Sequence, residues 1–106
     1  MSRAGAVFTA LADPTRRQVV ELLAGRDGAT ATELAHRLPV TRQAVTKHLS
    51  ALAEAKLVAP ERQGREVRWS LQPEALGDAV DWMVAVGAKW DRRLAALARS
   101  VGAPRS

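Results

Sequence analysis

The sequence predicts a mainly α-helical fold with one small β-hairpin, in the order α-α-α-α-β-β-α. Three observations carry this. Apolar residues recur at helical spacing through most of the chain, two short helical stretches meet across Pro39, and the period drops to two between Leu57 and Leu71. At 106 residues the chain has the length of one domain, and residues 1–106 are read as one.

The first helix runs from about Arg3 to Ala12, with Val7, Phe8 and Leu11 at helical spacing. Asp13-Pro14 marks a boundary. The carboxylate suits an N-cap because it accepts from orphan amides, and proline suits the first helical position. The second helix places Val19, Val20 and Leu23 on one face and stops before Gly25, after which Arg26-Asp27-Gly28 is a loop. Thr30-Ala31-Thr32-Glu33 is a capping box opening a third helix, with Leu34, Ala35 and Leu38 facing inward. Pro39 cannot continue that helix. Thr41 caps a fourth, which carries Val45, Leu49 and Leu52 at i, i+4 and i+7. Beyond Leu57, Val67, Trp69 and Leu71 alternate with Glu66, Arg68 and Ser70, and Gln63-Gly64-Arg65-Glu66 forms a tight turn. Pro73-Glu74 opens a last helix reaching about Arg99, while Met1-Ser2 and Gly102 to Ser106 are assigned no element. This is the element order of a winged helix-turn-helix fold, with the hairpin as the wing.

Composition narrows the partners. The net charge is +5 and the hydrophobic fraction 47%, so the chain is a basic, core-forming protein suited to polyanions. It has no cysteine, which excludes disulfides, thiolate metal sites and thiol catalysis. No apolar run approaches the ~20 residues of a membrane span and no signal-peptide core is present, so the expected compartment is the cytoplasm.

The helix after Pro39 turns Arg42, Gln43, Thr46, Lys47 and Ser50 away from its apolar face. Placed in a major groove, Arg42 can make two bonds to guanine and Gln43 two to adenine, while Thr46 offers a hydroxyl and a methyl. Lys47 suits a phosphate, as does the helix N-terminus beside Thr41. His48 lies between a phosphate contact and a packing role, with packing slightly favoured. Any solvent-facing helix can carry such residues, so the hairpin matters. Arg62, Arg65 and Arg68 surround its tip, and from Thr41 to Gln72 six Lys or Arg stand against three Asp or Glu. The segments on either side are nearly balanced, at five against four each. Positive charge is concentrated where a DNA footprint requires it.

The last helix serves another purpose. Leu76, Val80, Met83, Gly87, Trp90, Leu94 and Leu97 repeat at alternating spacings of four and three, the pattern of a helix-pairing seam. Trp82 and Val86 widen the apolar face beyond what one domain would cover. With Phe8 and Leu11 of the first helix, the Val80, Met83, Trp90, Leu94 and Leu97 face is read as a homodimer interface. A two-fold dimer would present two reading helices to successive major grooves of a roughly palindromic site.

Ala12-Asp13-Pro14-Thr15-Arg16-Arg17, followed by Thr32-Glu33-Leu34-Ala35, Val45-Thr46-Lys47-His48-Leu49 and Gly64-Arg65-Glu66-Val67, resembles the ArsR (arsenic-repressor-like) family of bacterial regulators. The resemblance spans about Val7 to Leu97. It implies a homodimeric winged helix protein, commonly a repressor of its own promoter, that binds double-stranded operator DNA through the helix around 41–53 and the wing around 61–68. The metal-sensing members carry a thiolate site just after the Glu-Leu pair, where this chain has Ala35, His36 and Arg37. Other members need paired histidines and carboxylates on the last helix, which here has Asp78, Asp81 and Asp91 but no histidine. The chain therefore resembles the cysteine-free branch, without metal or other cofactor. Whether an unidentified small-molecule effector is sensed stays open.

An enzyme is not indicated. The serines sit in no nucleophile motif, no glycine-rich phosphate loop appears, and the carboxylates form no acid–base dyad. Two alternatives remain: a winged helix that binds protein instead of DNA, and a nonspecific nucleic-acid binder with salt dependence but no sequence preference.

Overall fold

The computed structural model describes residues 3–100. Both tails left without an element above fall outside the described residues. The order is α1 (Arg3–Ala10), α2 (Pro14–Ala24), α3 (Ala31–Ala35), α4 (Arg42–Glu54), β1 (Val58–Gln63), β2 (Glu66–Leu71) and α5 (Pro73–Ser100), as the periodicities predict.

Each helix start is held by its own sequence. The Asp13 carboxylate accepts from the Thr15 and Arg16 amides, Thr30 and Glu33 close a reciprocal capping box, and Thr41 accepts from Ala44. Two ends differ from the sequence reading. α1 stops at Ala10, with Leu11-Ala12 in a turn. Its last carbonyls are taken by arginines of the next helix: Arg16 donates to Ala10 O, and Arg17 to Leu11 O and Ala12 O. The Asp-Pro-Thr-Arg-Arg run thus caps the start of α2 and the end of α1 together. α3 is a single turn and a half ending at Ala35, and Leu38 reaches the core from the bend that follows. Pro39 forces the chain to leave the helical path before that point.

The core lies where these corners converge. Val19 and Leu23 of α2, Leu34 of α3, Val45, Leu49 and Leu52 of α4, and Leu57 are all sealed from solvent. They form one cluster with Val7 of α1 and Ala75 and Ala79 of α5.

The hairpin is antiparallel, with Gln63 opposite Glu66 and Val58 opposite Leu71. Gly64 takes φ of +64° and Arg65 stays at negative φ, the pattern of a type II′ two-residue turn. β2 also has a second neighbour that no periodicity announces. Trp69 N–H donates to Ala29 O at 2.8 Å and Ala29 N–H to Trp69 O at 3.0 Å. Both main-chain groups of Trp69 therefore point away from β1, and the residue facing it there is Pro60. A proline is tolerated because that pair exchanges no ladder bonds.

α5 has a different relation to the core. Its 28 residues extend ~42 Å at 1.5 Å per residue, yet only Ala75 and Ala79 are buried. The radius of gyration is 19.0 Å, against ~13 Å for a compact chain of this size. The excess is the helical arm.

The end of α4 carries a strained residue. Lys56 has φ of +65°, with Leu57 N–H bonded to Leu52 O and Lys56 N–H to Ala53 O. This is a Schellman cap with lysine in the left-handed position that glycine takes at least cost. Lys56→Gly is expected to raise stability by ~0.5–1 kcal/mol net of the added unfolded-state entropy. Thermal melts at equal protein concentration check this, and an unchanged or lower Tm would contradict the strain assignment.

Candidate nucleic-acid interface

Burying Val45, Leu49 and Leu52 fixes what α4 turns outward. Arg42, Gln43, Thr46, Lys47 and Ser50 are all exposed, in one strip along the helix. Thr41 ends that strip as the N-cap, its Oγ1 accepting from Ala44 N–H at 3.1 Å. The Thr46 hydroxyl donates back to Arg42 O at 3.0 Å, which leaves its oxygen lone pairs and methyl outward. His48 is half-buried on the flank, near Asp13. His36 is exposed on the turn after α3.

The hairpin brings one of its basic residues, Arg65, to the same side. An open cleft of about 530 Å3 lies between the start of α3, α4 and β2, lined by Arg42, Thr46, Arg65, Glu66, Val67 and Trp69 among others. Arg42, Thr46 and Arg65 of the sequence reading thus share one concavity. Arg62 is exposed on β1 opposite Val67. Glu33 and Glu66 also line the cleft, so its field is mixed rather than uniformly positive.

Arg68 and Lys56, counted with the hairpin and α4 for charge, stand elsewhere. Arg68 Nη2 donates to Gly28 O at 2.9 Å, and Nη1 lies 3.5 Å from Glu33 Oε1. It is turned inward, away from the tip. Lys56 lies at the C-terminal end of α4, remote from Arg42 along the helix axis. Strand alternation could not reveal the inward turn of Arg68, since its partners lie far back in the chain. The only local signal was Gly28, whose φ of +123° admits the close approach.

The residues of the second predicted surface are also outward. Phe8, Val80, Met83, Trp90, Leu94 and Leu97 are exposed, while Leu11 is half-buried. Trp82 meets Phe8 edge-to-face, centroids 5.4 Å apart, which joins α1 and α5 into one apolar surface.

Comparison with known proteins points the same way. A family model described as a helix-turn-helix domain matches residues 11–61. The transcriptional repressor SdpR of Bacillus subtilis is 34% identical over 88 residues, covering 83% of this chain and 97% of that protein. An ArsR-like transcriptional regulator from Rhodococcus sp. RHA1 is 42% identical, with a TM-score of 0.81 over 92% of this chain and 91% of that one. A homodimeric winged helix-turn-helix DNA-binding domain from Mycobacterium bovis shares the fold at 24% identity, with a TM-score of 0.62 over 87% of this chain and 82% of that one.

Two carboxylates hold the elements that present this face. Hydrogen bonds from the Arg16 and Thr15 amides, helped by the nearby His48 and Arg16 charges, lower the Asp13 pKa. The Thr30 amide, helped by the Arg68 and Arg26 charges, lowers that of Glu33. A depressed folded pKa gives stability that is present above the unfolded value and lost as pH falls through the folded one. Asp13→Asn, which still caps but does not titrate in this range, is therefore expected to flatten the fall of Tm between about pH 5 and pH 3. Melts across that range check it, and parallel curves for variant and parent would contradict the cap's titration.

Proposed function

This chain belongs to the ArsR-like family of winged helix-turn-helix transcriptional regulators, and from that premise we propose that it is a homodimeric repressor. It binds a roughly palindromic operator, its own promoter included, through α4 and the wing. Residues 1–106 act as one DNA-binding domain with terminal dimerisation helices, working in the cytoplasm. The observation that carries the reading is the convergence of Arg42, Thr46 and Arg65 on one cleft. Thr41, Gln43, Lys47, His48 and Arg62 complete the proposed surface. Arg42 and Gln43 read base edges, while Lys47, Arg62 and Arg65 neutralise phosphates.

The dimer proposal rests on α5 and α1. Trp82, Trp90, Leu94 and Leu97 are each more than half exposed, and together they exceed the scattered apolar exposure of a monomer. A Cβ at Gly87 would meet nothing within 4 Å in its own protomer. Its mid-helix cost of ~1 kcal/mol relative to alanine is accounted for by the approach of a second backbone. The helix is also largely segregated in charge, with Glu74, Asp78 and Asp81 in its first half and Lys89, Arg92, Arg93 and Arg99 in its second, where Asp91 is the one acidic residue. That pattern suits a second copy lying antiparallel. Among the described residues no helix is long and apolar enough to cross a membrane, and no group of three or more His or carboxylate residues is gathered for a metal.

The direct test is anisotropy of the purified protein on duplex from its own upstream promoter against a scrambled duplex, at two salt concentrations. A preference that survives added salt is expected; equal, salt-sensitive binding to both would reduce the protein to a nonspecific binder. In the same assay Arg42→Ala and Gln43→Ala should each lose ~1–3 kcal/mol of discrimination at particular base pairs. Arg65→Ala should instead weaken all duplexes alike and lower the salt slope by about one unit. Equal, sequence-blind losses from all three would overturn the division of roles.

Leu94→Asp is expected to give monomers in sedimentation and to abolish tight promoter binding. An intact dimer would remove this interface.

A further inference from the structure

The basic residues of the hairpin do not share one task. Alternation along β2 puts Arg68 on the face opposite Trp69, yet its side chain is only 28% exposed. It reaches back 40 residues to Gly28 O and 35 residues to the Glu33 carboxylate. The Glu33 oxygen it approaches is the one that accepts from Thr30 N–H at 2.9 Å and closes the α3 capping box. At Gly28 a Cβ would stand 3.1 Å from Ser70 Oγ and 3.2 Å from Trp69 O.

A two-stranded hairpin has little stability of its own. The main chain of β2 bonds to the body at one residue pair, Ala29–Trp69, and Trp69 and Leu71 seat the base of the hairpin on the core, so a swing of the exposed tip turns about that pair. A side-chain tether beside that pair removes the swing. Arginine suits the task because its planar fork presents donors to two acceptors at once, and partial burial limits solvent screening. From Arg68 to Gly64 the strand is a lever of about 13 Å, so a tilt of about 10° displaces the tip by about 2 Å. A displacement of that size breaks a hydrogen bond.

We propose that Arg68, latched to Glu33 and Gly28, is the positioning residue of the wing, setting where Arg62 and Arg65 stand relative to Arg42 and Thr46. The inference rests on the reading of α4 and the hairpin as the DNA surface. Arg68 itself gives no charge to DNA; its effect on binding passes through the two arginines nearer the tip.

The absence of cysteine allows a unique reporter. A spin label on Gln63→Cys, at the end of β1, reads wing mobility in the free protein, and duplex from the protein's own upstream promoter reads the consequence. Arg68→Met is expected to raise label mobility with little change in Tm, and to lower the promoter salt slope by about two units, as if both tip arginines were lost. In that background Arg65→Ala should cost little more, while Arg42→Ala should cost as much as in the parent. Unchanged label mobility would overturn the latch. Full, additive loss from Arg65→Ala would overturn its positioning role, as would equal weakening of the Arg42 and Arg65 contributions with a collapsed Tm, the mark of a general staple. If the parent binds no duplex, the DNA reading fails, and label mobility still decides the latch. Should Arg68→Met not fold, Glu33→Gln keeps the capping box, drops the charge and is expected to show the same mobility change at smaller amplitude.

Discussion

Everything in this fold that faces outward depends on one buried strip, Val45, Leu49 and Leu52 of α4. The three side chains are sealed against α2, α3 and Leu57, and each such burial stabilises by roughly 1.5–3 kcal/mol. A helix has a single rotational setting that hides those positions. That setting also decides that Arg42, Gln43, Thr46 and Lys47 emerge side by side. Stability and the recognition proposed for α4 are therefore two faces of one 3.6-residue period. A change that rolled α4 would cost the core and the proposed readout together.

Around that helix the chain closes its corners with local polar groups and spends few buried polar atoms on the core. Asp13 with Arg16 and Arg17 makes the first corner, Thr30 with Glu33 the second, and Thr41 the third. Each satisfies helix ends that would otherwise leave orphan amides or carbonyls. The result is a compact head built from short helices, with an arm attached. β2 passes into α5 through Gln72 alone, whose N–H bonds to Leu57 O at 2.7 Å. Head, hairpin and arm thus meet at one joint beside the end of α4.

The legibility of the sequence follows the range of each interaction. Asp13, the Thr30–Glu33 box, Thr41 and Gly64 act within three residues, and each was readable because its chemistry sits in a short window. The inward face of α4 was readable from its period alone. The outward face of α5 was readable in its period too: of the positions spaced by four and three, Leu76 packs against the core, while Val80, Met83, Trp90, Leu94 and Leu97 stand exposed. What stayed hidden joins distant segments. Ala29 pairs with Trp69 through main-chain atoms, which leave no side-chain pattern. Arg68 looked like a third tip arginine because its acceptors lie 35 and 40 residues away. α3 looked longer because Leu38 is as apolar as a helical residue, although it enters the core from a bend. Lys56 carries no mark of its left-handed backbone, which the bonds of Leu57 and Lys56 to the last turn of α4 impose.

Pro60 has a consequence beyond its own pair. Because the Trp69 pair exchanges no bonds with β1, the nitrogen of residue 60 faces the open side of the hairpin, where an incoming strand would need a donor. Proline has none, and the residues after it, Glu61 and Arg62, are charged and exposed. A strand from another molecule would therefore meet a gap in its hydrogen-bonding row in the middle of the free edge of β1. That edge of the hairpin is guarded against runaway stacking, and the apolar surface left to associate lies on the helical arm, where the two-fold pairing proposed above would use up its own surface and stop.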